Sequence, residues 1–497
     1  VRKWIPLAAI CLGAFMLLVD VSIVNVALPK MSADLHSSFT SLQWVVDIYA
    51  LTLAALLMAF GSLGDRLGHR RLYLGGLIVF ALASLTCALA PDAATLIASR
   101  AAQGIGGAAM MTSTTALLNG AYQGRDRGTA FGIWGAVNGA AAAVGPVLGG
   151  LLTDQFGWRA IFMVNVPVAV LALAMTVGYL KGGAGVARGR LDLAGALSFT
   201  VFAAALTYGL IESGDKGWGS ALVLGPVALA VLALVVFVVV ELRAGHPLLD
   251  LAMMRNRTFL GLTLGGLLLN AAAFAQLTYI SLWLQQALNL SPLNAGLAVC
   301  PLALASFVVA LVSGKVVHRL APQLPIGIGL LLIGGGTLLL GLVSAGSSWT
   351  ALLPGLLISG VGVGLATPQL MSTALGAVPR ERAGMASGAL NTARQLGYAL
   401  GIALLGTVFQ NRVREFTGHT AGRPDLHAAF AAGLDRVFLV AGCTGLLAGV
   451  LVLALVRRPA PAAAWQTGAG AAAAGTGPAG AAAADQAPAD AVAARTR

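Results

Sequence analysis

Gly61-Ser-Leu-Gly-Asp-Arg-Leu-Gly-His-Arg-Arg71 sets three glycines, one acid and three arginines between two apolar runs, 42–63 and 72–90. Each run is about the 20 residues a helix needs to cross the hydrocarbon core of a bilayer. A polar connection this short makes the pair a hairpin of two membrane spans. Gly61, Gly64 and Gly68 permit a tight turn and close approach of the helices, and Asp65 is placed to bond backbone or basic groups. Arg66, Arg70 and Arg71 mark the turn as cytoplasmic, because basic residues accumulate on that side.

The whole chain has the matching composition. Of 497 residues 58% are hydrophobic and 10% charged, too little polar surface to coat a water-soluble globule. The 64 glycines and 6% aromatic content suit helices packed closely through small residues in lipid, whereas a β-barrel reads as short alternating strands. A net charge of +12 would suit nucleic acid only if gathered on a soluble domain. Here Lys and Arg sit in short loops, so no nucleic-acid partner is expected. Cys11, Cys87, Cys300 and Cys443 lie singly in apolar runs without CxxC spacing, which predicts packing residues and neither a disulfide nor a metal site.

A 20-residue ruler predicts an all-α polytopic membrane protein with about fourteen spans. They are 5–29, 42–63, 72–90, 94–118, 128–152, 160–180, 191–211, 221–241, 258–286, 291–317, 326–345, 349–374, 384–409 and 434–456. The first run carries Asp20 and exceeds a signal-peptide core, so it reads as a retained span. With the N-terminus inside, most of the 30 Lys and Arg fall in cytoplasmic segments, which predicts an inner-membrane protein with both termini in the cytoplasm. The loop 411–433 is then external. A shift of 256 residues lays span 5 on span 13, matching Gly128 to Gly384, Gly145 to Gly401 and Gly150 to Gly406. The expected division is a six-helix bundle (1–180), two inserted spans with their linker (181–257), a second six-helix bundle (258–456) and a disordered cytoplasmic tail (457–497).

The Gly61–Arg71 loop resembles the signature loop of the major facilitator superfamily, with His69 in place of the usual basic residue. Leu18-Val-Asp-Val-Ser-Ile-Val-Asn-Val-Ala-Leu-Pro29, Arg100-Ala-Ala-Gln-Gly-Ile-Gly-Gly-Ala108 and Gly145-Pro-Val-Leu-Gly-Gly150 look like the motifs of spans 1, 4 and 5 in its fourteen-span drug:proton antiporters. The resemblance covers 4–456. It implies the major facilitator fold plus two inserted helices, alternating access, a small-molecule substrate and protons as the coupling ion. It also implies that Gly61, Gly64, Asp65, Arg66, Gly68 and Arg70, with Gly145, Pro146, Gly149 and Gly150, govern conformational change. In that family span 5 faces the opposite half and seals the pathway; a plain packing face is the other reading of its glycines. A monomer in the lipid bilayer is expected.

Gly104-Ile-Gly-Gly107 and Gly360-Val-Gly-Val-Gly364 lie within apolar spans with no preceding strand, and no GxxxxGK[ST] occurs. A proton gradient rather than ATP is therefore the expected energy source, without a cofactor. Charges inside the membrane are costly and mark function by default. At 1.5 Å per residue Asp47 and Arg100 lie roughly 8–9 Å, and Asp20 about 13 Å, from the outer ends of their spans. The three are expected to share an outward-leaning cavity as proton-coupling groups, the alternative being a permanent buried ion pair. Asn270, Phe274, Thr278, Ser281 and Gln285 form one stripe on span 9, suited to lining a substrate cavity or to bonding between helices. Asn25 and Asn138 are further cavity candidates. Arg394, near mid-depth in span 13, suits either the cavity or a structural hydrogen bond.

Proton-driven export of drugs or antibiotics is the leading reading. Export of an endogenous metabolite and proton-coupled symport are alternatives, and the Gly145–Gly150 motif favours export. A membrane-embedded enzyme or a sensor is the alternative of a different class. Against these, the six histidines show no HExxH or nucleophile–base pairing, and nothing reads as a soluble signalling domain.

Overall fold

A computed structural model describes residues 2–122, 124–180, 192–245, 247–316, 320–344, 346–378, 383–419 and 426–457. The long helices are α1 (Ile5–Leu35), α2 (Phe39–Leu67), α3 (His69–Ala88), α4 (Ala93–Ala121), α5 (Gly124–Phe156), α6 (Ala160–Tyr179), α7 (Leu193–Lys216) and α8 (Ala221–Arg243). They continue as α9 (Arg257–Ala287), α10 (Pro292–Val316), α11 (Gln323–Leu340), α12 (Leu353–Gly376), α13 (Ala383–His419) and α14 (Leu426–Leu455). Among the described residues there is no β-strand.

Local chemistry sets the helix ends. Ser38, Asp92, Asp192 and Asn256 each accept a backbone N–H of the first turn of the helix they precede. At Asp92 the Thr95 N–H holds the carboxyl below its usual range. Between α2 and α3 the turn is a single residue. Gly68 has φ 87°, which a side chain would strain, and its N–H returns to the Gly64 carbonyl at 2.9 Å.

Eleven of the described helices are long and apolar enough to cross a membrane. The other three of the expected fourteen are α4, α5 and α13, helices of 29, 33 and 37 residues that are rich in Gly and Ala. Two elements differ from their expected form. Hydropathy bounds span 13 at 409, but α13 runs on to His419, with Arg412 and Glu415 pairing at 3.0 Å along a polar yet helical extension. Hydropathy reads span 9 as one run, 258–286, but α9 breaks at Phe274–Ala275 and widens into a π-type turn at Trp283–Ala287.

Helices α1 to α6 pack with one another, as do α9 to α14, and the two groups meet where α5 lies on α10, α2 on α13 and α1 on α9. α7 lies against both α2 and α13, with α8 outside it. One apolar cluster that spans both groups gathers Val24, Leu28, Trp158, Tyr279, Trp283 and Phe438, at the end remote from the termini; another joins Leu51 and Ala54 of α2 to Leu269 and Ala273 of α9. Near the N-terminus the cluster of Leu7, Ile10, Leu118, Tyr122 and Leu180 stays within the first group. Residues Val1–Arg458 form one compact unit, and the expected tail beyond 457 lies outside the described residues.

Candidate functional site

Asp20 on α1 is wholly buried and Arg100 on α4 is 1% exposed. Taking two charges out of water costs several kcal/mol per ion unless attraction and hydrogen bonds compensate. Here both are present. Arg100 Nη1 lies 2.6 Å from Asp20 Oδ2 and 2.7 Å from Gln103 Oε1, and its Nε donates to the Val45 carbonyl at 3.1 Å. Asp20 Oδ1 accepts from Gln103 Nε2 at 2.8 Å and from Asn165 Nδ2 at 2.9 Å. Gln103 also donates to Ser84 Oγ at 2.8 Å, and the guanidinium sits 4.2 Å from the Tyr49 ring centroid. Five helices, α1, α2, α3, α4 and α6, are tied at one point.

Asp47 does not join them. It is wholly buried on α2, and neither carboxyl oxygen has a hydrogen-bond partner. Gln43, one turn earlier, faces Gly406 of α13: a side chain at Gly406 would strike Gln43 and the Tyr279 hydroxyl. Tyr279 and Tyr398 lie within electrostatic reach of Asp47. It therefore stands at the joint between the two helix groups. An ionised carboxylate without hydrogen bond or counter-ion is far more costly to bury than a neutral one.

The stripe on α9 closes onto α1. Thr278 Oγ1 donates to Asn25 Oδ1 at 3.1 Å, and Asn25 Nδ2 donates to the Tyr398 hydroxyl at 3.3 Å. Ser281 Oγ donates to the Asn25 carbonyl at 3.0 Å, and Gln285 Nε2 to the Val26 carbonyl at 2.8 Å. Sequence explains the first carbonyl's availability. In a regular helix the Asn25 carbonyl would bond the N–H four residues on, but residue 29 is proline and has none. Asn270 and Phe274 share the stripe without joining this set of bonds; Asn270 Oδ1 is buried and unpartnered.

The α5 glycines serve two interfaces. Side chains at Gly145 and Gly149 would strike Ser22 and Ile23 of α1, while one at Gly150 would strike the Pro292–Leu293 backbone of α10. The Pro146 carbonyl fills the space a side chain at Gly296 of α10 would need. In the α2–α3 turn Gly64 is closed by the His69 ring and Gly61 is open, while Arg70 Nη2 donates to the Val177 carbonyl at 3.0 Å. The side chains of Asp65, Arg66 and Asn138 lie outside those described. Arg394 is half-buried, its stem beside Gly266 of α9, with no hydrogen bond or ion pair among the described residues.

The structure thus joins Asp20 to Arg100 and leaves Asp47 and Arg394 apart. Sequence reading did not single out Gln103, Ser84, Asn165 or Tyr398. Only Gln103 gave a signal, one helical turn after Arg100.

These features are those of a polytopic helical transporter built from two packed groups of helices. A profile of the Major Facilitator Superfamily matches residues 10–402, and the chain belongs to that superfamily. The multidrug resistance protein Stp of Mycobacterium tuberculosis is 36% identical over 405 residues, spanning 81% of this chain and 75% of that protein. The tetracenomycin C resistance and export protein of Streptomyces glaucescens is 33% identical over 500 residues, spanning 91% of each. The crystal structure of a POT family transporter in complex with a thioalcohol-conjugated peptide shares the fold, with a TM-score of 0.65 at 14% identity, covering 90% of this chain and 95% of that one.

Proposed function

We propose that this protein exports an amphipathic drug or antibiotic across the inner membrane in exchange for protons, as a monomer without a cofactor. Residues 1–180 and 258–456 act as two bundles that rock about the substrate, with 181–257 inserted between them. Both termini are cytoplasmic, so the sealed end is the outer one and the structure is the outer-closed state. The names of relatives that confer resistance support the substrate class.

The observation that carries the coupling is Asp47, buried at the joint without a partner. Closing the outer end buries this carboxyl, and a neutral carboxyl tolerates burial far better than an ionised one. Proton uptake from outside then precedes closure. Asp20, held by Arg100, Gln103 and Asn165, ties the first helix group together around this carboxyl. Asn25, Thr278, Ser281 and Gln285 form the outer latch, with Pro146 and Gly150 sealing beside it. Gly64, Gly68 and Arg70 fix the inner hairpin.

The test is a growth-inhibition panel of lipophilic cations, aromatic antibiotics and neutral compounds, in cells with and without the gene. We expect protection against at least one class, abolished by a protonophore in an efflux assay. Equal sensitivity across the panel, with the protein present in the membrane, contradicts drug export.

A further inference from the structure

Arg394 of α13 is a charge inside the membrane that the transport cycle above leaves unused. Its stem lies against α9, where a methyl group built on Gly266 would come 3.1 Å from Arg394 Cγ and 3.6 Å from Leu370 Cδ2 of α12. Three helices of the second group therefore meet at that glycine, and its missing side chain leaves room for the arginine. The guanidinium makes no hydrogen bond or ion pair among the described residues, and none of its nitrogens is sealed off by protein. Intramembrane cations normally pair with an opposite charge or border a water-filled cavity.

No carboxylate lies within electrostatic reach of Arg394 among the described residues. Gln43, one turn before Asp47, meets α13 at Gly406, twelve residues beyond Arg394. Asp47 therefore stands roughly 12 Å nearer the sealed end than Arg394. Asp65, two residues before the end of α2, and Glu381, two residues before α13 begins, have side chains outside those described. Eleven residues of helix, about 16 Å, separate Arg394 from Ala383 at the start of α13.

Two further polar atoms near this contact lack partners. Asn270, one turn after Gly266 on α9, is 7% exposed, and its Oδ1 is unpartnered. Thr367, one turn before Leu370 on α12, has a buried Oγ1 without a partner, whereas Thr112, Thr263 and Thr444 return theirs to the carbonyl four residues back. The two helices run in opposite directions, so both groups fall one turn from the Gly266 contact towards the sealed end. Phe274 follows a further turn along α9, and beyond it Thr278, Asn25 and Tyr398 close the outer end.

We propose that Arg394, with Thr367 and Asn270 beside it, binds a carboxylate carried by the exported compound, whose ring-bearing apolar part rests against Phe274. This deepens the reading of the protein as an exporter and rests on that reading for the route by which the compound arrives. The guanidinium fork takes both carboxylate oxygens, the Thr367 hydroxyl is free to donate to them, and the Asn270 carbonyl accepts from a hydroxyl or N–H elsewhere on the compound. An unpaired cation in an apolar setting is unfavourable, so the empty site favours a ligand that brings the missing charge.

Calorimetric binding to the full-length protein in phosphatidylcholine nanodiscs, with empty nanodiscs subtracted, tests the site without transport. The probes are 2-naphthoate and its uncharged counterpart of the same shape, 2-naphthamide. Wild type should bind the naphthoate about tenfold or more tightly than the amide, R394Q should lose that preference, and R394K should keep part of it. Without a ligand, R394Q should melt no lower than wild type, because it removes an unpartnered charge, whereas a structural arginine would lower Tm on the same substitution. Naphthoate bound no better than the amide by wild type, a preference that R394Q retains, or an R394Q protein that melts lower or fails to fold each overturns the site. Such a result beside intact drug export discards the carboxylate site alone; the expected preference in a protein that protects against no compound keeps the site and discards export.

Discussion

Arg100 divides one guanidinium among Asp20, Gln103, the Val45 carbonyl and the face of Tyr49. Arg100→Ala strands a buried carboxylate, which costs about 3–5 kcal/mol. We expect a clearly lower Tm in nanodiscs, with a smaller loss for Arg100→Lys, which keeps the charge and loses the fork. An Arg100→Ala protein that melts with wild type would remove this pair from the account of stability. The three charges were legible in the sequence because a charge inside an apolar run stands out. Their grouping was not. Depth along a helix follows from counting residues, but the rotation that turns Asp20 towards Arg100 and Asp47 towards α13 depends on packing partners. Ser84 and Asn165 escaped notice for the related reason that neutral polar residues are ordinary in spans until a partner is known.

Pro29 and the α5 glycines act through whole helices. Pro29→Ala restores an N–H to α1 that competes with Ser281 for the Asn25 carbonyl, so the latch should weaken. Spin labels at Lys30 and Gln286, exposed near the sealed end, should show a larger wide-distance population in Pro29→Ala than in wild type; identical distributions contradict the latch. Gly150→Leu drives a side chain into the Pro292–Leu293 backbone. Overpacking of about 1–3 kcal/mol lowers the closed population roughly 5- to 150-fold, with export falling alongside it. Wild-type export by Gly150→Leu would make this contact incidental. At this scale hydropathy located α1 to α3 and α8 well, since lipid is the solvent of their outer faces. It shortened α13, because a ruler that counts apolar residues stops where Arg412 and Glu415 begin although the helix does not. It also missed the break in α9, which follows from Asn270's carbonyl receiving the N–H groups of both Phe274 and Ala275.

The two helix groups close on each other at the end remote from the termini, and topology decides which side of the membrane that is. Glu415→Cys, on the exposed extension of α13, should react with an impermeant thiol reagent on intact cells when Cys11, Cys87, Cys300 and Cys443 have been replaced. Reaction only after permeabilisation would invert the protein and turn the sealed end inward. The coupling claim is tested most directly in proteoliposomes with an imposed proton gradient, using a compound against which the gene protects. Wild type should release protons when that compound is added and move it uphill. Asp47→Asn, uncharged in every state, should still bind the compound and close its outer end while releasing no protons and sustaining no uphill transport. Full substrate-dependent proton release with uphill transport by Asp47→Asn would contradict the account.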